Sequence, residues 1–181
     1  MDTLYMTHPA VKEDLRKCEA MWMDNHMCKW SSALGGLTKS RFFAAMNDKH
    51  VNRHYDAPVI TFSHMVPRRD LIKGGPEDMA HVNCERHRNG LGDAPKFSGM
   101  MPGFNFTRYA GSAIIDHQAR KVGSQIHVYG HQHRNRDRVI DGIQYISHCL
   151  GNVKEQKEGY CWGMREWNGP KQIYPPMAAS S

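Results

Sequence analysis

Two short apolar segments of this chain each end in histidine, and this pattern constrains the fold more than any other feature of the sequence. The segment Val59–Phe62 is followed by Ser63 and His64, and the segment 126–129 is followed by Gly-His-Gln-His at 130–133. Apolar runs of this length, bounded by turn residues, are typical of buried β-strands. Imidazole side chains at the ends of two such strands suit a metal ion, and sites of this kind commonly serve hydrolysis.

The residues that precede the second strand are typical of a helix. Ser112 is a good N-cap, Ile115, Ala119 and Val122 share one face, and Gly123 follows the last turn, where glycine is favoured. A strand, a helix and a second strand in this order form a βαβ unit, which predicts parallel strands joined by a right-handed crossover. Ligands of such sheets bind beyond the carboxyl ends of the strands. The sequence therefore predicts an α/β fold, a mixed sheet flanked by helices, with a site at that edge.

Three further elements follow from periodicity and turn chemistry. One helix is predicted from about 11 to 30 and a second from 40 to about 47, because apolar residues recur there at helical spacing. Asp141-Gly142 lies between two apolar segments, which is a strong signal for a β-hairpin.

A chain of 181 residues is long enough for one domain with its own core, which we place at 1–170. Within it, residues 67–111 are polar and rich in glycine and proline, so we expect an insertion, a lid or a disordered loop. Residues 171–181 are expected to form a flexible tail.

Charge and cysteine content restrict the partners and the compartment. The net charge of +6 and the pI of about 9.1 favour anions, either phosphorylated substrates or nucleic acid. No run of basic residues is interleaved with aromatic ones, so the net charge is the one feature that supports binding of nucleic acid. The five cysteines are scattered without a CxxC pair, which indicates a reducing compartment. With no long apolar segment and no signal sequence, we expect a soluble cytoplasmic protein without a membrane partner.

The candidate metal ligands are His64, His131 and His133. The last two are two positions apart, so from a tight turn they can point to two adjacent cations. The alternative is a pair of surface histidines, and it loses weight because a strand and a glycine precede them and His64 matches them at the other strand end. Arg68 is the candidate substrate-binding residue: with Arg69 it either holds a phosphate oxygen in the fork geometry of arginine or lies in a solvated loop.

These motifs, in this order, resemble the C-terminal half of the calcineurin-like metallophosphoesterases. The similarity is closest over residues 61–68 and 123–133, and it continues through Asp-Gly-Ile-Gln-Tyr at 141–145 and through 148–152. The resemblance implies two packed mixed sheets flanked by helices, with two divalent metal ions at the carboxyl edges of the strands.

The resemblance also implies roles for individual residues. His64 and His131 would bind one cation and His133 the other, with zinc, iron or manganese as the metal. A hydroxide that bridges the metals would attack phosphorus while both cations offset the developing charge. On this resemblance we expect a phosphoric ester hydrolase acting on a phosphorylated substrate.

The chain departs from the family in its N-terminal motifs. An Asp-x-His, a Gly-Asp whose aspartate bridges the metals and an Asn-His pair that supplies the catalytic acid are missing upstream of His64; Asn25-His26 lacks the strand and glycine context. We therefore assign no catalytic residue, interpret the chain as N-terminally truncated, and expect an incomplete metal centre and an incomplete second sheet with exposed apolar surface. Activity of this chain alone would need the missing ligands.

Two alternatives stay open. One is a non-catalytic remnant that binds metal or phosphate and needs a partner chain to complete its fold. The other is a basic protein that binds nucleic acid through charge.

Overall fold

The computed structural model describes residues 14–30, 32–72, 80, 83–84, 86–87, 90, 92–93, 107–158 and 168–174. Over these residues the chain is an α/β protein with one four-stranded mixed sheet and flanking helices. None of the helices in these ranges combines the length and the apolar character needed to cross a bilayer. The described helices are α1 (Leu15–Met21), α2 (Asp24–Met27), α3 (Lys39–Val51), α4 (Thr107–Ala110), α5 (Ala113–Lys121) and α6 (Val153–Glu158); the strands are β1 (Val59–Phe62), β2 (Ser124–Val128), β3 (Arg136–Ile140) and β4 (Ile143–Ser147).

The strands lie in the order β1-β2-β4-β3. β1 and β2 are parallel, β2 and β4 are parallel, and β3 closes one edge as the antiparallel partner of β4. The predicted parallel pairing is therefore confirmed, with α5 preceding β2 and packing against it. The predicted hairpin is also confirmed: Asp141 and Gly142 have φ of 48° and 83°, the left-handed conformation that suits a two-residue turn between twisted strands.

The predicted N-terminal helix over 11–30 is interrupted, so the prediction of one continuous helix was wrong. Asp14 caps α1 by accepting two backbone N–H groups, and α1 ends where Trp22 adopts an extended conformation with ψ of 110°. The Trp22 ring stacks on Tyr109, with ring centroids 4.5 Å apart. Such a contact between distant segments outweighs helical periodicity. Residues 11–13 lie outside the described residues.

The base of the 67–111 segment is closed by backbone hydrogen bonds. The N–H of Val66 donates to the carbonyl of Ala110 at 2.9 Å, and the N–H of Ser112 donates to the carbonyl of Val66 at 3.2 Å. Gly111 is the bridge partner of Val66. The segment that the sequence predicts to be an insertion therefore leaves and rejoins the fold at one point, and most of residues 73–106 lie outside the described residues.

The main buried cluster lies on one face of the sheet and includes the start of that segment. Leu71 and Ile72 are 1% and 3% exposed and pack with residues from the sheet, so the first residues of the predicted insertion contribute to the core. The other buried members of the cluster are Val66, Ala110, Tyr129, Ile143 and Tyr145.

The opposite face of the sheet is buried over its central strands, at Ile126 and Ile146, and carries exposed apolar side chains on its outer strands. Phe62 and Val139 have exposed fractions of 70% and 72%. The strand register places both on the face opposite Tyr145. Apolar side chains of this size usually lie against another layer, and here they are exposed only on the outer strands; the incomplete second sheet stays a prediction.

A buried network of hydroxyl groups and one imidazole links β1 to β2. His127 is 1% exposed; its Nδ1 lies 2.8 Å from the Thr61 hydroxyl and its Nε2 lies 2.9 Å from the Ser63 hydroxyl. The Thr61 hydroxyl also lies 2.8 Å from that of Ser124. Because hydroxyl groups can donate or accept, they can pair both nitrogens of a neutral ring. Burial lowers the pKa of His127 to about 4, and the negative charge of Asp116 opposes this shift only in part.

The buried imidazole predicts loss of stability in acid. The folded chain binds a proton on His127 with a pKa of about 4, below the ordinary 6.5, so the unfolded chain binds more protons between those values. The contribution of His127 to the free energy of unfolding is complete above pH 6.5 and falls by about 3 kcal/mol as the pH drops through this window. Urea unfolding at several pH values measures the loss. The variant His54→Ala, which removes an exposed imidazole, should show the same loss, and an NMR titration of His127 with a midpoint near 6.5 would contradict the prediction.

The close approach at the base of the 67–111 segment predicts that Gly111 cannot carry a side chain. A Cβ at this position would lie 1.8 Å from the carbonyl oxygen of Val66, so the two strands of backbone would have to separate. We expect Gly111→Ala to lower the free energy of unfolding by about 3 kcal/mol or more. Gly92→Ala is the matched control, since nothing lies within 4 Å of its added Cβ. Similar urea midpoints for the two variants would show that the backbone contact is unimportant.

Candidate metal centre

The hydrogen bonding between neighbouring strands continues past their ends. The N–H of Ser63 donates to the carbonyl of Val128 at 2.9 Å, and the N–H of Gly130 donates to the carbonyl of His64 at 3.1 Å. On the other side, the N–H of Tyr129 donates to the carbonyl of Ile146 at 2.8 Å. These bonds fix the residues that follow β1 beside those that follow β2, so their side chains meet at the carboxyl edge of the parallel strands.

His64 and His131 meet at this edge as the βαβ prediction requires. Nε2 of His64 lies 3.2 Å from Nδ1 of His131, and the ring centroids are 5.1 Å apart at an interplanar angle of 76°. Two nitrogens that each lie about 2.0 Å from one tetrahedral zinc ion are separated by about 3.3 Å. The observed distance fits two ligands of one cation, and it equally fits a hydrogen bond in which one neutral ring donates to the other.

The local environment favours the neutral form of His131, which is the form that binds metals. Burial lowers its pKa, and repulsion from the neighbouring His64 lowers it further. The edge of the Trp22 ring faces the imidazole, with centroids 5.9 Å apart. The backbone of His131 is left-handed, with φ of 70°, and that of His133 is too, with φ of 49°. Such conformations cost about 1 kcal/mol or more each and are concentrated at functional sites.

His133 has a different partner. Its Nδ1 lies 2.7 Å from Oε1 of Glu155, which is 7% exposed. Oε2 of Glu155 accepts the N–H of Asn152 at 2.7 Å, and Oδ1 of Asn152 accepts the N–H of Glu155 at 2.9 Å. This reciprocal pair is the capping box at the start of α6. Because a carboxylate only accepts, Nδ1 of His133 carries the proton, and in the neutral ring Nε2 is left with a lone pair.

Glu155 is the residue of this site that the sequence reasoning missed. A carboxylate behind a histidine fixes the tautomer and the orientation that a metal ligand needs. The signal was present as Asn-x-x-Glu at 152–155, which is a capping pattern. What the sequence could not give is that the capping carboxylate also reaches a histidine 22 positions earlier.

The three candidate ligands do not form one group. His64 and His131 are paired, whereas His133 is held by Glu155. Over the described ranges, no set of three or more histidine, cysteine, aspartate or glutamate side chains is arranged to hold a metal ion. The predicted metal centre, with its two cations, therefore stays a prediction. The negative charge of Asp24 acts on His131, which places a carboxylate within electrostatic reach of the pair.

Arg68 lies in a network of carboxylates. Its Nε and Nη2 donate to the two oxygens of Asp70 at 2.9 and 2.8 Å, and its Nη1 lies 3.1 Å from Asp141 and 3.4 Å from Asp116. The hydrogen bonds to Asp70 raise the pKa of the guanidinium, which is 18% exposed. A phosphate group at Arg68 would compete with these carboxylates, and the predicted role in substrate binding stays a prediction.

The contact between Glu155 and His133 can be tested without a metal. In the unmodified chain at neutral pH, two-dimensional ¹⁵N–¹H NMR of the imidazole should show the Nδ1–H tautomer of His133. Glu155→Ala removes the acceptor, so we expect the usual mixture of tautomers and a free energy of unfolding lower by about 1 to 2 kcal/mol. Glu155→Gln keeps one acceptor oxygen and should retain the Nδ1–H form in larger proportion. A wild-type tautomer in Glu155→Ala would show that the carboxylate does not orient the ring.

Compared with protein-family models, curated proteins and solved structures, the chain has no significant match, so the geometry and the motifs carry the functional argument.

Proposed function

We propose that this chain is part of a metal-dependent phosphoric ester hydrolase of the calcineurin-like type. The observation that carries the proposal is the convergence of His64 and His131, 3.2 Å apart, at the carboxyl ends of two adjacent parallel strands. The order of the motifs along the chain supports the same family. In this proposal the sheet is one of two in a sandwich, and the exposed outer-strand side chains of Phe62 and Val139 are covered by the second sheet.

The donor set suits divalent zinc, iron or manganese. His64 and His131 would hold one cation through Nε2 and Nδ1, and His133 would offer its Nε2 to a second. Bound cations of this kind supply a nucleophilic hydroxide at neutral pH and offset charge on a phosphoryl group. Glu155 would hold Nδ1 of His133, so that the lone pair on Nε2 is available to the cation.

The proposal includes further ligands. Two imidazoles leave positions in a four-coordinate zinc shell, and two cations close together need carboxylates to offset their repulsion. Over the described residues no such donor joins the pair. The additional ligands therefore come from residues outside the described ranges or from a second chain.

Charge and thiol content are compatible with such a role. A net charge of +6 attracts phosphorylated substrates. The described cysteines, Cys18, Cys28, Cys84 and Cys149, form no disulfide with one another, which suits a reducing compartment.

Metal binding by the histidine pair is the decisive test. Calorimetric titration with Zn²⁺ and Mn²⁺ should give at least one site, and His64→Ala and His131→Ala should each weaken it by about tenfold or more because half of the imidazole pair is lost. His54→Ala is the control, since this imidazole is exposed and pairs only with Asp56 among the described residues. Equal losses in all three variants would indicate non-specific binding to histidines and would overturn the assignment.

Hydrolysis is tested in the same samples with 4-nitrophenyl phosphate and bis(4-nitrophenyl) phosphate. Turnover that is abolished by a chelator and by His131→Ala supports the hydrolase. Specific metal binding without turnover, in the chain alone and in any complex that copurifies with it, would instead support a non-catalytic metal-binding protein.

A further inference from the structure

A cavity of about 780 Å³ lies among the N-terminal helices α1, α2 and α3 and the start of α5. Its wall is rich in aromatic and apolar side chains, among them Trp22, Trp30, Phe43, Met65 and Tyr109. The volume is that of sites which accept small organic molecules. Part of the wall is open to solvent, since Trp30 and Phe43 are 40% and 50% exposed.

Two residues of the cavity wall lie beside the histidine pair. Trp22 lines the cavity and stacks on Tyr109, and the edge of the same ring faces His131 at 5.9 Å between centroids. Met65, another wall residue, directly follows His64. A molecule anchored at the two imidazoles could therefore extend past Trp22 and into the cavity.

The charges around the cavity favour an uncharged occupant. Lys39 and Arg108 line it, and so do Glu19 and Asp24, so the charges of the wall cancel. The ammonium of Lys39 lies over the Trp30 ring, 4.2 Å from its centroid. A wall of this kind offers aromatic surface and polar edges to a planar ring, and it offers no excess of positive charge to a second phosphate.

We propose that this cavity binds the aromatic organic group of a phosphate ester whose phosphate lies at the His64–His131 pair. The inference rests on the proposed function and narrows its substrates to phosphate esters of an aryl alcohol or a nucleoside, as opposed to phosphoproteins, sugar phosphates or polyphosphates. Trp22 would have two roles: its ring forms part of the cavity wall, and its edge packs against the His131 imidazole.

The test uses the full chain without metal and two uncharged probes that lack phosphate: adenosine for a nucleoside and 4-methoxyphenol for an aryl group. Saturation-transfer NMR should show binding of at least one probe and none of ribose, which lacks the ring. Binding of adenosine alone or of 4-methoxyphenol alone identifies the source of the ring. Absence of binding by both, in a chain with a folded NMR spectrum, overturns the proposal.

Variants locate the binding. Phe43→Ala should weaken the probe by about tenfold, because an aromatic contact and its buried area are lost. Phe62→Ala is the matched control: this phenylalanine is also exposed and does not line the cavity. Loss of binding in Phe62→Ala with wild-type binding in Phe43→Ala would place the probe elsewhere and overturn the proposal.

The hydrolase proposal and the aromatic-group proposal are contradicted by different results. His131→Ala should weaken metal binding by about tenfold or more and leave adenosine binding within about twofold, because the imidazole lies beside the cavity and is not among its wall residues. Probe binding without any metal binding would leave an aromatic site and remove the hydrolase. Metal binding and turnover without probe binding would keep the hydrolase and remove the aromatic specificity.

Discussion

The parallel pairing of β1 with β2 is the constraint on which the site depends. The two strands are joined by backbone hydrogen bonds that continue to Ser63 and Gly130, beyond the last strand residues. A slip of one residue in this pairing would turn every side chain to the other face of the sheet. The register is fixed by the His127 network, because only the observed alignment sets the imidazole between the hydroxyls of Thr61 and Ser63. The position of the histidine pair and the buried His127 network are therefore consequences of one alignment.

A second network fixes α5 to the sheet. Tyr145, which is fully buried, donates its hydroxyl to Asp116 of α5, and Arg120 of the same helix donates to Asp116 at 2.9 Å. Burial raises the pKa of Tyr145 to about 12, so the phenol keeps its proton for this bond. Arg68 contacts the same carboxylate, so the strand-following loop, the helix and the sheet share one set of charges. Removing one side chain from such a network lowers the stability of the fold, because a partly buried charge is left without its partner.

The sequence was sufficient for the parts of the structure that local rules control. Strands β1 and β2, the helix between them and the Asp141-Gly142 hairpin follow from periodicity, capping and turn chemistry, and the meeting of His64 with His131 follows from their topology. The break at Trp22 did not follow, since it depends on a stacking partner 87 positions away. The helix predicted at 40–47 extends over Lys39–Val51. It begins at Lys39 because Thr38 caps it, and the sequence did not indicate its last turn because the helix is only weakly amphipathic. The contacts of Arg68 and His133 depend on distant carboxylates, which no spacing rule connects to them.

The backbone contact between Val66 and Gly111 makes the register of the sheet independent of the length of the 67–111 segment. The segment leaves and rejoins the fold at this one contact, so its length does not set the register of β1 and β2. Doubling the length of such a loop costs only about 0.6 kcal/mol of closure entropy. The length and the sequence of that segment can therefore change while the imidazole pair keeps its place. The fold holds the imidazole pair on a fixed edge, and the adjoining segment is attached beside it at a separate contact.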